Sequence, residues 1–109
     1  MPPADLPIAC SLNATELSAR LAEMAAVGRA FLVAADVHRN RGVLRFAAGA
    51  GVRDRVEAIA AAESECCPFM TMRVSDPPDA IVLTVDVPAG AEGVVAEFVD
   101  AFGGPPPTR

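Results

Sequence analysis

The chain has 109 residues, 52% of them hydrophobic, and sets nine basic side chains against fourteen acidic ones for a net charge of −5. That is enough for one domain with its own core. Five Phe with neither Trp nor Tyr argue against a surface built mainly on aromatic stacking and so disfavour single-stranded nucleic acid, and the lack of any basic cluster longer than His38-Arg39-Asn40-Arg41 disfavours direct binding to duplex DNA.

Residues 6–12 form a short apolar segment that reads as a first strand, Leu6 to Leu12. Asn13-Ala14-Thr15-Glu16 then has the form of a capping box and opens a helix. Leu17, Leu21, Met24 and Ala25 recur at helical spacing, with Glu16, Arg20 and Glu23 on the outer side and Gly28 as the stop. The continuous run Ala30 to Val37 is expected to be a strand, turning through His38–Gly42 into a partner over Val43–Ala47.

A loop at Ala48–Gly51 precedes a stripe of Val52, Val56, Ile59, Ala60, Glu63 and Cys67, which predicts a helix from about Gly51 to Cys67. Pro68 ends it by pushing Cys67 out of the α region. The period then changes to two: Met70, Met72 and Val74 alternate with polar neighbours, Ser75–Asp79 turns, and Ile81, Leu83, Val85 and Val87 follow as the second arm of a hairpin. After Pro88-Ala89-Gly90, Val94, Val95, Phe98, Val99 and Phe102 mark a last helix, and a Pro-rich tail at 105–109 is expected to be disordered.

No sequence repeat is present. Residues 1–104 read as one α+β domain in the order βαββαββα. The expected architecture is a ferredoxin-like sandwich, with a mostly antiparallel sheet of about five strands and helices on one face. The N-terminus lacks the basic and apolar regions of a secretory signal, and no apolar run reaches the ~18 residues of a membrane span. A cytosolic protein with reduced thiols is expected, and three cysteines there read as thiolates or core residues rather than as a disulfide framework.

The chemistry-bearing feature is Glu63-Ser64-Glu65-Cys66-Cys67-Pro68-Phe69, with Cys10 the one further cysteine. Neighbouring helical residues point ~100° apart, so two adjacent sulfurs address one ion only where the helix unwinds, and Pro68 supplies that unwinding. The negative end of the helix dipole raises thiol pKa values and disfavours a standing nucleophile, whereas a bound cation deprotonates its own thiols. A metal or metalloid site therefore suits the position better than a catalytic cysteine.

Glu63 lies one turn below the pair, and a carboxylate in an apolar stripe is costly unless it is paired. It reads as a hard fourth ligand, as an acceptor that orients the ligands, or as a base for the thiol proton; with the helix rotated, it would point to water. Cys10, in a first strand expected to be central, can complete a trigonal site for Hg(II), As(III) or Cu(I), or one for Zn(II) with Glu63 or water, or can pack as a small hydrophobe. His38 reads as a solvated turn residue and Met70 and Met72 as core fill. No Ser/His/Asp set, phosphate loop or carboxylate pair can be assembled, so no enzymatic activity is expected.

The segments Ile8–Leu12, Val43–Phe46, Ala62–Phe69 and Val85–Ala91 resemble a family of small bacterial proteins marked by Glu-x-x-Cys-Cys-x-Phe, similar to a C-terminal extension of some regulators of the mercury-resistance regulator (MerR) family. The likeness runs from Leu6 to Phe102. It implies a heavy-metal response and a soft-metal thiol site at Cys10, Cys66 and Cys67, with Glu63 beside it. This chain lacks the regulators' DNA-binding helices, so the resemblance implies a stand-alone sensor or buffer whose regulatory partner is a separate protein. A thiol redox switch at Cys66 and Cys67, or a dimerisation module with core cysteines, are the alternative readings.

Overall fold

A computed structural model describes residues 14–103 of the chain. Three helices and four strands follow in the order α1 (Ala14–Phe31), β1 (Leu32–His38), β2 (Arg41–Ala47), α2 (Val52–Cys66), β3 (Thr71–Ser75), β4 (Ala80–Asp86) and α3 (Glu92–Gly103). The strands form one antiparallel sheet in the spatial order β1-β2-β4-β3. It is an α+β arrangement of two hairpins, each followed by a helix.

The helices exchange hairpins. α2 follows the first hairpin but packs on β3 and β4, while α3 follows the second hairpin but packs on β1 and β2. α1 lies against both of these helices. The core is where the three helices meet the two central strands: Leu44 and Phe46 of β2, Leu83 and Val85 of β4, Val56 of α2, Val95 and Phe102 of α3 and Val27 of α1 are all fully buried. Phe102 sets its ring edge-on to Phe46 and to Phe98, at centroid distances of 5.5 and 5.3 Å, a favoured aromatic geometry.

The stripes read from periodicity in α2, α3 and β4 reach this core. Val52, Val56, Ile59 and Ala60 of α2, all five apolar positions of α3, and Ile81, Leu83, Val85 and Val87 are buried. In the expected α1 stripe Met24 is buried but Leu21 is 44% exposed, because α1 is rotated to turn Arg20 and Glu23 toward α2. The turns follow local chemistry: Arg39 (φ 59°) turns the first hairpin and Asp79 (φ 72°) the second. Asn40 ties that first turn to the far end of β4 by donating its amide to the Val87 carbonyl at 2.6 Å and accepting the Val87 N–H at 3.0 Å.

Three expectations need correction. Gly28 does not stop α1, which continues through Ala30 to Phe31 so that β1 begins only at Leu32. Gly28 is instead the point where α1 and α3 touch backbone to backbone, since a Cβ there would lie 1.6 Å from the Phe102 carbonyl oxygen. Tertiary packing carries the helix past a residue that would otherwise weaken it.

Second, the sheet has four strands among the described residues rather than about five. The expected first strand, Leu6–Leu12, lies outside those residues, as does the expected tail at 105–109. Third, the central place expected for that segment is filled by described strands. Each side of β2 and of β4 is already paired, β2 with β1 and β4, β4 with β2 and β3. Among the described residues, β1 and β3 are the edge strands.

β1 is exposed from Val33 to His38, with a register irregularity between Leu32 and Ala34. Such a bulge is one way an edge strand is blunted against pairing. None of the helices among the described residues is long and apolar enough to cross a membrane.

Candidate functional site

The tandem cysteines sit where α2 gives way to β3. Cys66 is the last helical residue, and Cys67 leaves the α region at φ −126°, ψ 80° while its N–H still donates to the Glu63 carbonyl at 2.7 Å. Pro68 disfavours the α region for the residue before it, in line with that departure. The chain then folds back at once, because the Met70 N–H donates to the Cys67 carbonyl at 2.9 Å. The helix thus ends between the two cysteines, one residue earlier than its apolar stripe indicates.

The two thiols have different surroundings. Cys67 is 1% exposed and belongs to the hydrophobic core, whereas Cys66 is half-buried and packs against that core from outside. They are not joined in a disulfide. Met70 is buried beside them in sequence and Met72 half-buried, as core fill, while His38 is exposed. Cys10 lies outside the described residues. Among those residues no group of three or more His, Cys, Asp or Glu side chains is placed to hold a metal ion.

Glu63 has a partner, and it is not a thiol. Arg20 of α1 reaches across and donates to the Glu63 carboxylate at 2.9 Å, with side chains 17% and 12% exposed. A carboxylate in an apolar stripe is thereby neutralised, as burial demands. Sequence reasoning placed Arg20 and Glu23 on the outer side of α1. Both instead face α2, where Arg55 donates through two nitrogens to the Glu23 carboxylate at 3.0 Å each.

The Arg55 guanidinium also lies over the Phe31 ring at 5.9 Å. Its hydrogen bonds hold the Glu23 carboxyl below the ordinary glutamate value. These contacts run in opposite senses along the two helices. The early part of α1 meets the end of α2, and the end of α1 meets its beginning.

Between the two ion pairs a shallow cleft of about 370 Å³ opens, floored by Ala19, Ala58, Ile59 and Ala62 and rimmed by Arg20, Glu23 and Arg55. The alternating charges Arg20/Glu23 and Arg55/Glu63 were the available signal for this seam. They become pairs only once α1 and α2 are known to be antiparallel neighbours.

Comparison of the chain with models of protein families, with curated proteins and with solved structures returns no match.

Proposed function

We propose that this protein captures a soft, thiophilic ion or metalloid through Cys66 and Cys67, for sensing or buffering rather than catalysis. The observation that carries the reading is the end of α2 between the two cysteines, which frees their sulfurs from the ~100° divergence that a continuing helix imposes. The ion enters at half-buried Cys66 and is handed to Cys67 beneath it as the helix end opens.

Two thiols that each release a proton to water as Hg(II) binds form a neutral bis-thiolate, so the complex carries no net charge into the apolar surroundings of Cys67. Cu(I) would leave one net negative charge there. As(III) calls for a third sulfur, supplied by Cys10, and Zn(II) for a fourth ligand as well, which is the place of Glu63 once it lets go of Arg20. The resemblance to the extension of metal-responsive regulators points the same way. The scaffold is a ferredoxin-like sandwich in its layers, with β4 in the central place that such an order gives to an N-terminal strand.

Titration of the reduced protein with Hg(II) is expected to give a thiolate-to-metal charge-transfer band that is lost in Cys66→Ser. No band at micromolar protein overturns the reading. The place of Cys67 in the core favours a second reading in its stead, an interaction module whose cysteines only pack. In that case Cys67→Ala lowers stability and the chain shows no response to the ion.

A further inference from the structure

The three helices take one face of the sheet. Leu44, Phe46, Leu83 and Val85 point to that side and are buried, and a Cβ on Gly42 would touch Val95 and Val99 of α3. Strand alternation turns Arg41, Val43 and Arg45 of β2, and Val82, Thr84 and Asp86 of β4, to the opposite face. The middle row of that face crosses all four strands: Asp36 of β1 stands beside Val43, Val43 beside Thr84, and Thr84 beside Arg73 of β3. Val43 and Thr84 are half-buried, while Asp36 and Arg73 at the two ends are exposed. We infer that this face is the contact between two copies of the chain, packed sheet on sheet about a two-fold axis that runs along the strands between β2 and β4.

The charges select both the occupant and the axis. A two-fold axis along the strands keeps each row in place and reverses the order of strands, so that β1 of one copy lies over β3 of the other and β2 over β4. Asp36 then meets the partner's Arg73, and by symmetry Arg73 meets the partner's Asp36. A short acid opposite a long base spans the ~10 Å between packed sheets. Val43 meets the partner's Thr84. In the neighbouring row the Arg41–Asp86 ion pair straddles the axis and meets its own copy reversed, so each guanidinium faces a carboxylate of the other chain. An axis across the strands instead sets each strand on itself, which opposes Asp36 to Asp36 and Arg73 to Arg73. Within one chain Asp36 and Arg73 stand three strand spacings apart, ~14 Å, too far to satisfy each other.

The third row, Ala34, Arg45, Val82 and Ser75, limits the affinity, because Arg45 and its copy flank the axis as like charges. Size limits it too. Four strands ~4.8 Å apart and about seven residues long make a face of about 450 Å², and two such faces fall below the ~1,200 Å² of a tight complex. The structure thus assigns a weak, reversible dimer with a micromolar dissociation constant. Its surface is separate from the thiols, since Cys67 lies in the core on the helix side, so the dimer stands or falls independently of the proposed function.

Sedimentation equilibrium of the reduced, metal-free full chain, from micromolar to millimolar concentration, tests the contact. The parent is expected to pass from monomer to dimer. Asp36→Arg and Arg73→Asp each place like charges together at two symmetric points, and each should weaken association by about tenfold or more. Mixed in equal amounts, the two variants should dimerise with each other as the parent does with itself, because one chain then carries two arginines where the other carries two aspartates. The doubly exchanged chain, Asp36→Arg with Arg73→Asp, should also regain the parent's affinity, and it decides the matter if a single variant fails to fold. The inference is overturned if the parent stays monomeric at millimolar concentration, as it would with this face covered by the chain's own terminal residues. It is equally overturned if both single variants dimerise like the parent, as a dimer formed by exchanged halves would, or if neither the mixture nor the double exchange restores association.

Discussion

Replacing Gly28 with alanine sets two effects of opposite sign against each other. In an open helix, alanine is favoured over glycine by about 0.5–1 kcal/mol. At Gly28 the new Cβ would lie 1.6 Å from the carbonyl oxygen of Phe102 and 2.5 Å from its carbon. Both are backbone atoms, so no rotamer relieves the conflict. Bringing the closest contact merely to 3.0 Å needs a separation of α1 from α3 of about 1.4 Å (3.0 − 1.6).

That shift pulls Phe102 away from Phe46 and loosens Val27 and Met24, all of them buried to 2% exposure or less. Overpacking in a core costs about 1–3 kcal/mol, and a conflict between two backbones belongs at the top of that range. Less the gain in helix propensity, Gly28→Ala should lose about 2 kcal/mol or more. At about 4–8 °C per kcal/mol for a domain of this size, the melting temperature followed by far-ultraviolet circular dichroism should drop by roughly 8–16 °C. Gly93, also helical but with nothing within 4 Å of a Cβ, is the matched control, and Gly93→Ala should be neutral or stabilising by up to about 0.5 kcal/mol. A Gly28→Ala protein as stable as its parent would refute the close approach of the two backbones.

Asp86 accepts two hydrogen bonds from Arg41, at 2.7 and 3.1 Å, and they hold its carboxyl below the ordinary aspartate value. Because the folded value is the lower one, the stabilisation is complete above the ordinary value and fades as pH falls through the folded one. Urea midpoints of parent and Asp86→Asn should therefore differ at pH 7 and converge in strong acid; a constant gap across that range would contradict the assignment. For Arg20 and Glu63, a double-mutant cycle with Arg20→Ala and Glu63→Gln should give a coupling of about 1 kcal/mol or more, since the pair is half-desolvated; strictly additive losses would sink it. In a Cys10→Ser background, a bulky aromatic disulfide reagent should modify Cys66 readily in the folded protein and Cys67 far more slowly, as the end of α2 opens, whereas equal rates would place both thiols at the surface.

The long periodic elements were legible because burial and periodicity agree in them. Val52, Val56, Ile59 and Ala60, and likewise the apolar face of α3, face the core as their spacing requires. What escaped was set by contacts remote in sequence. A glycine that ends a helix and one that lets another backbone approach look alike in a string of letters, and only Phe102 distinguishes them at Gly28.

The order of strands is a long-range property too. Pairing β2 with β4 joins Gly42 to Val85, and nothing local announces that this removes the central place expected for Cys10. At the candidate site, Pro68 correctly marked the end of α2 and the altered backbone of Cys67. The demand that Glu63 be paired was legible as well, but its partner was not. Arg20 falls on the polar side of its own helix, and only the approach of α2 turns that side into an interface.

The exchange of helices between hairpins makes the two halves of the domain mutually dependent. Neither hairpin is covered by the helix that follows it, so a ribosome that has released only β1, β2 and α2 holds a sheet without its lid and a lid without its sheet. Folding must wait for the C-terminal residues, and it should then proceed as one all-or-none event. The same arrangement allows two chains to trade halves through the link between α2 and β3, which makes that corner, with its paired thiols, the hinge for intermolecular entanglement at high concentration.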